Sequence, residues 1–244
     1  MKKQYQRKSL VLGVGPLLGL GAALCQRFAN EGHHVFVGGR TRSKIEEVVR
    51  DIEAKGGSAT PVLCDATVES DVARMFAEAD AYGDGPLELA VFNVGNSMPG
   101  KVREMTSAYF EEAWRVGCYS GFLFGREAVK TMLPLGGTVI FTGASASLRG
   151  KANFSAFNAA KSGLRSFAQA LSKEHGSDGL HVGHVIIDGG IAGERQFSRS
   201  KALLENQERL ISLDGLTDAY WYLHQQSQQA WTFEVDVRTA VEDW

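Results

Sequence analysis

Short apolar runs alternate with longer amphipathic stretches along most of the chain. Ser9–Val14, Val35–Gly38, Ala59–Leu63, Leu87–Asn93, Thr138–Thr142 and Val182–Ile187 carry few charges and predict strands. Runs of this length without polar alternation suit strands covered on both faces, as in a parallel sheet. Gly19–Glu31, Ser43–Lys55, Glu69–Ala81, Ser107–Leu133 and Ser155–His175 repeat their apolar positions at helical spacing. The alternation predicts an α/β class: a doubly wound parallel sheet of about seven strands, helices on both faces, right-handed crossovers.

The pattern changes at Gly189–Gly193, and Glu194–Glu208 is charged with few apolar anchors. Residues 190–226 are therefore expected to form a substrate lid within a single domain spanning 1–244. A last helix is predicted around Leu216–Gln225. In Ala230–Arg238, Trp231, Phe233, Val235 and Val237 alternate with Thr232, Glu234 and Asp236. Period two predicts a strand with one less buried face, at the sheet edge or near a subunit interface. No repeat or linker divides the chain.

Composition adds limits rather than a function. With 244 residues, 44% apolar, 22% charged and a net charge of −2, the chain suits a globular domain with a full core. Such a balance offers nothing to draw nucleic acid or an anionic membrane. Cys25, Cys64 and Cys118 are far apart, match no metal spacing and are odd in number, so a reducing, cytoplasmic setting is expected. Basic Met1–Lys8 followed by apolar Leu10–Cys25 imitates a secretory signal. That reading leaves Gly13, Gly15, Gly19, Gly21 and Pro16 without a purpose. No run approaches the ~20 apolar residues of a membrane span.

Those glycines have a purpose in a dinucleotide site. Gly15-Pro-Leu-Leu-Gly19-Leu-Gly21 follows the first strand and opens the first helix. Phosphate needs close backbone approach, free amide groups and the positive end of a helix dipole. Glycine clusters also make ordinary turns, so the strand–turn–helix context is what gives this one meaning.

From here the chain resembles the short-chain dehydrogenase/reductase family, a Rossmann-type fold. Its glycine spacing is G-x3-G-x-G, and Gly15, Leu18, Gly19, Leu20 and Gly21 fall in the pyrophosphate loop. Asp65, with Ala66, resembles the adenine-contacting position after the third strand. Phe92-Asn93-Val94-Gly95 is similar to the family's Asn-Asn-Ala-Gly element, with Asn93 and Gly95 retained. Lys161 stands where the Tyr-x-x-x-Lys lysine falls, and Asp188-Gly189-Gly190-Ile191 resembles the turn over the nicotinamide. Gly189 and Ile191 would be its cofactor contacts. The resemblance implies a nicotinamide-dependent oxidoreductase acting on a small molecule, assembled as a homodimer or homotetramer.

Cofactor choice turns on Val37-Gly38-Gly39-Arg40. An NAD enzyme usually places a carboxylate at the end of the second strand to accept from the ribose 2′-hydroxyl. Here Gly39 takes that place, followed by Arg40 and then Arg42, which suit a 2′-phosphate. A plain solvated arginine is the bland alternative, and NADP(H) over NAD(H) is the expectation.

The catalytic positions depart from the family's pattern. Phe157-Asn158-Ala159-Ala160-Lys161 puts phenylalanine where the resemblance implies the proton-donating tyrosine. Thirteen residues back, the carbonyl-polarising serine position is Ala144, with Ser145 next, and the asparagine position is Cys118. A seven-residue tyrosine–lysine spacing points instead to Phe154. The candidate catalytic residues are thus Lys161 and Ser145, the latter as a polar contact to a carbonyl or as a turn cap. Tyr119 reads as a packed helix residue and Cys118 as an apolar filler.

No metal site is expected, because His181 and His184 sit three apart on a strand and face opposite ways. Asp188 is a polar contact, a proton acceptor or a partner of turn amides. The substrate pocket is expected between Ser145–Arg149, Met98–Gly100 and Ile191–Ser200, made apolar by Phe154, Phe157 and Phe197. Two functions remain open at this point. One is an NADP(H)-dependent oxidoreductase with a rearranged proton relay and an apolar, carbonyl-like substrate. The other is a non-catalytic NADP(H)-binding regulatory or scaffold protein.

Overall fold

The computed structural model describes residues 6–95, 97, 99–133, 135–198 and 207–242. Seven strands make one parallel sheet: β1 (Lys8–Leu12), β2 (His34–Gly39), β3 (Ser58–Leu63), β4 (Leu87–Phe92), β5 (Gly137–Thr142), β6 (Leu180–Ile187) and β7 (Glu234–Val237). Their order is β3-β2-β1-β4-β5-β6-β7. The expected α/β doubly wound architecture is the one observed. Its helices are α1 (Leu20–Asn30), α2 (Arg42–Ala54), α3 (Glu69–Ala81), α4 (Ser107–Trp114), α5 (Ser120–Met132), α6 (Ser155–His175) and α7 (Leu213–His224).

The sheet is buried on both sides because successive strand residues serve opposite layers. On one side Leu10, Leu12, Phe92 and Phe141 pack under α3, α5 and α6. On the other, Val11, Val91 and Ile140 pack under α1, α2 and α7. At ~25 cal/mol per Å² of apolar area, these two layers supply most of the drive to fold.

Two elements differ from the sequence expectation. Ser107–Leu133 is not one helix, because a π-helical stretch, Arg115–Tyr119, separates α4 from α5. The buried Ser120 hydroxyl donates to the Val116 carbonyl at 2.6 Å, a side-chain back-bond at this junction. Glycines at four-residue intervals then bring α5 close to α6. A Cβ on Gly117 would stand 2.8 Å from Ala160 Cβ, and one on Gly121 would stand 2.2 Å from Leu164 Cδ1. The last strand is shorter than Ala230–Arg238: Trp231 leaves the ladder to stack on His181, and pairing with β6 begins at Glu234. It closes the sheet edge.

Beyond β6, Gly190–Ile191 pairs in parallel with Leu210–Ile211, and Glu194–Phe197 forms a single helical turn. Residues 199–206 of the expected lid lie outside the described residues, as does Met98. Among the described residues no helix is long and apolar enough to cross a membrane.

Candidate active site

A cleft of about 850 Å³ opens at the carboxyl ends of the strands, where β1 has β2 on one side and β4 on the other. In open α/β sheets this reversal of strand order leaves a crevice that the loops cannot fill. The glycine loop lines one wall. Gly13 has φ +105, and a Cβ there would stand 2.6 Å from the Asn93 carbonyl carbon, so only glycine lets β1 end against β4. The Gly38 carbonyl accepts from both Gly13 and Val14 amides, at 3.0 and 2.9 Å, which fixes the loop's take-off. No side chain caps the start of α1, and the space above Gly15 is open for 4 Å. Uncapped amides and an open backbone are what a phosphate group requires. The residues therefore fit a dinucleotide.

Gly15, Leu18, Gly19, Leu20, Gly21, Asn93, Gly95, Ser145, Lys161, Gly189 and Ile191 all line this cleft. Arg40, Asp65 and Ala66 do not. Arg40 is exposed just beyond β2 at the same sheet edge. A Cβ on Gly39 would meet the Val14 carbonyl oxygen at 2.5 Å, so a carboxylate side chain there would force the glycine loop aside. Asp65 Oδ1 accepts from the Thr67 amide and hydroxyl, at 2.9 and 2.8 Å, a local turn that holds the β3 exit.

Lys161 is buried in the floor of the cleft. Its ammonium donates to the Thr142 carbonyl at 2.7 Å and the Val94 carbonyl at 3.3 Å. Burial lowers its pKa to about 8, which still leaves it mostly protonated at neutral pH. A Cβ on Gly95 would stand 3.2 Å from this nitrogen, so the glycine leaves room for it. Behind it runs a hydrogen-bonded chain that sequence inspection missed. Thr142 donates to Asn93 Oδ1 (3.1 Å), so its 2.7 Å partner, the buried Tyr220 hydroxyl, donates to it. Asn93 Nδ2 in turn donates to the Gly13 carbonyl at 3.1 Å, tying β4, β5 and α7 to the glycine loop.

Asp188 resolves differently from the turn-amide reading. Arg149 reaches both of its oxygens, at 3.0 and 2.9 Å, and Arg238 lies 3.3 Å away. Burial works to raise its pKa, but the Ser145 hydroxyl, Arg149 and Arg238 together hold it below the usual carboxylate range. A carboxylate so engaged is a poor proton acceptor. The Ser145 hydroxyl is a hydrogen-bonding neighbour of the same carboxylate. Sequence reading placed Arg149 only at the end of the expected pocket loop and missed both its pairing with Asp188 and Arg238, since neither arginine belongs to a recognised motif.

Asn158 is the other missed residue, although it lies inside the lysine motif. Its amide donates to the Arg149 carbonyl at 2.6 Å and the Ala146 carbonyl at 3.3 Å, and accepts from the Lys151 amide at 3.2 Å. It fixes the loop that carries Arg149 and Lys151 into the cleft. Phe154 and Phe157 also line the cleft, whereas Phe197 does not. The pocket is thus less apolar than expected, with Arg149, Lys151 and Arg195 on its rim. Cys118 lies outside the lining, with its sulfur against Gly163, and burial raises its pKa. His184 Nδ1 pairs with Glu234 at 2.8 Å and His181 Nε2 meets the Thr232 carbonyl at 3.0 Å, so the two serve different neighbours.

The family model described as short chain dehydrogenase matches residues 9–202. The chain is 28% identical over 183 residues to YxbG, an uncharacterized oxidoreductase of Bacillus subtilis, covering 75% of this chain and 66% of that one. With YuxG, an uncharacterized oxidoreductase of the same bacterium, it shares 31% identity over 194 residues, 78% of this chain and 28% of that one. The matched region thus falls just short of two thirds of YxbG and is little more than a quarter of YuxG. A solved short-chain dehydrogenase from Rhodopseudomonas palustris is 36% identical, with a TM-score of 0.81 over 95% of this chain and 98% of that one. With the family's strand order, glycine loop and buried lysine in place, the chain belongs to the short chain dehydrogenase family of oxidoreductases.

Proposed function

We propose that the chain is an NADP(H)-dependent oxidoreductase acting on a small carbonyl-type substrate, with an active site that lacks the family's tyrosine. The observation that carries this reading is Lys161, buried and held by Thr142 and Val94 on the floor of a cleft whose other wall is the uncapped start of α1. Gly15, Leu18, Gly19, Leu20 and Gly21 would hold the pyrophosphate, with Asp65 and Ala66 at the adenine and Arg40 at a 2′-phosphate. Asn93, Gly95, Gly189 and Ile191 would hold the nicotinamide half. The bound cofactor would supply or accept a hydride.

A carbonyl that takes up a hydride also needs one proton. Phe157 has no hydroxyl, the Ser145 hydroxyl faces Asp188, and Asp188 is held ionised by its neighbours. Solvent water entering the open cleft is therefore the proton source in this reading, with the Lys161 charge favouring a developing alkoxide. Loss of a positioned donor costs ~10²–10⁴-fold, while positioning of the reactants is retained. Of the expected 190–226 lid, the stretch 190–197 would cover the substrate, because α7 is packed on the sheet through Leu216, Tyr220 and Leu223. Phe110, Trp114 and Phe122, exposed on α4 and α5, favour assembly as a homodimer or homotetramer through these helices.

The test is titration of NADPH and NADH by fluorescence, followed by a panel of aldehydes, ketones, quinones and activated alkenes. Tight NADPH binding with slow turnover of one carbonyl class is the expected result. Binding without turnover on any of them would favour a non-catalytic, NADP(H)-responsive protein. Failure to bind either dinucleotide would overturn both.

A further inference from the structure

We propose that His33, Glu88 and His224 form a site for one divalent cation of the zinc class, at the amino edge of the sheet. His33 immediately precedes β2, Glu88 is the second residue of β4, and His224 ends α7. The site therefore lies at the opposite edge of the sheet from the cleft. One potential ligand atom from each of the three lies within 4.8 Å of the others. Two imidazoles and a carboxylate are the donor set that a borderline cation takes in three-ligand sites with an open position.

His33 makes this more than a surface cluster. It is 1% exposed, and among the described residues neither ring nitrogen makes a well-formed hydrogen bond, with only a weak approach to the Lys8 backbone. A buried polar group left unsatisfied costs roughly 1–3 kcal/mol, so an imidazole so poorly partnered calls for an explanation. Its Nε2 is directed at Glu88, 4.0 Å from Oε2, too long for a hydrogen bond. A cation between them would satisfy both. His224 is oriented from behind, since its Nδ1 engages the Thr138 hydroxyl at 3.1 Å and leaves Nε2 as the remaining nitrogen. Ligating histidines are usually anchored in this way through their other nitrogen.

The Arg7 guanidinium now neutralises Glu88, at 2.8 Å. Its side chain is 39% exposed and rests near the Trp221 ring, so it can yield the carboxylate to a metal without leaving a buried charge behind. Tetrahedral ligation spaces donor atoms by roughly 3.3 Å, so they must draw together by about 1.5 Å at most. Such a site would join the end of α7 to the β2 and β4 side of the sheet.

The experiment uses the full chain, stripped with chelator, titrated calorimetrically with zinc and separately with cobalt. The expected result is one ion per chain with Kd below roughly 10 µM, a raised melting temperature, and cobalt d–d absorption without a thiolate charge-transfer band. His224→Gln and Glu88→Gln should each weaken zinc binding at least 10-fold. Thr138→Val, which keeps shape and removes only the hydroxyl behind His224, should weaken it by ~10–100-fold. NADPH affinity should stay unchanged in all three variants, which separates this site from the cleft. Zinc binding no tighter in the parent chain than in His224→Gln and Glu88→Gln, or a cobalt spectrum showing thiolate ligation, would overturn the proposal.

Discussion

Phe157 and Lys161 face the same cleft from successive turns of α6. The spacing that would let a tyrosine share its proton with the lysine's field is intact, and only the hydroxyl is missing. Phe157→Tyr alone is nonetheless expected to raise carbonyl reduction less than about 10-fold, far short of the ~10²–10⁴ that acid catalysis supplies. Ala144 offers the carbonyl no hydrogen bond, and the Ser145 hydroxyl is turned to Asp188. Phe157→Tyr with Ala144→Ser should recover most of that range. Steady-state NADPH oxidation on the best aldehyde distinguishes the two; full activity from the single change would show that Ser145 serves as the polarising group.

The cofactor preference rests on one exposed side chain. Arg40→Ser should weaken NADPH binding by ~10-fold or more while leaving NADH nearly unchanged, since a guanidinium–phosphate contact is a charge-assisted hydrogen bond. The loss should shrink as salt is raised, because the group is solvent-exposed. Gly39→Asp does not make an equivalent test, because any Cβ there meets the Val14 carbonyl oxygen at 2.5 Å and disturbs the loop for both cofactors. Fluorescence titration at two ionic strengths checks this, and equal losses for both dinucleotides would remove Arg40 from the 2′-phosphate.

The sheet and the glycine wall were legible because their signals are local. Apolar runs such as Val35–Gly38 name buried strands, and Gly13 to Gly21 follow a strand and precede a helix. The break at Arg115–Tyr119 was not, because α4 and α5 keep helical periodicity across it, and its back-bond from Ser120 is a tertiary detail. The electrostatics around Asp188 were equally hidden. Arg149 and Arg238 lie 39 and 50 positions away in sequence, and neither spacing has a pattern that points to the carboxylate. His33, Glu88 and His224 escaped for the same reason, being brought together only by strand order and by the packing of α7.

The Asp188 cluster gives a pH prediction. Its pKa is depressed in the folded chain, so its stabilising contribution is complete above the ordinary carboxylate value near 4. That contribution is lost as pH falls through the depressed value. Asp188→Asn keeps the shape but leaves Arg149 and Arg238 without their carboxylate. It should cost about 2 kcal/mol at neutral pH, since bonds to charged groups contribute ~1.5–3 kcal/mol and the Arg149 side is partly screened by solvent. The cost should shrink as pH falls below 4. Urea unfolding at neutral pH and in acid measures it, and a pH-independent cost would mean the aspartate acts through packing rather than charge.

Lys161 predicts a slope of the same sign, stability rising with pH, at the other end of the scale. Burial holds its pKa near 8 in the folded chain, against 10.5 for the free side chain. Folding therefore penalises the protonated form, by about 3 kcal/mol at 1.36 kcal/mol per pH unit. The penalty is complete below pH 8 and is relieved between pH 8 and 10.5, where the unfolded chain still holds the proton and the folded chain has released it. Stability without cofactor should therefore gain from this group across that window, and Lys161→Met should remove the gain. The variant should also lose most NADPH affinity, because the methionine leaves the Thr142 and Val94 carbonyls unbonded and brings no charge to the cofactor's phosphates. Denaturation from pH 7 to 10.5, with parent and variant compared at each step, isolates the lysine. Parallel curves would mean that its ammonium is stabilised as well in the folded chain as in water, and would contradict its burial as the source of the shift.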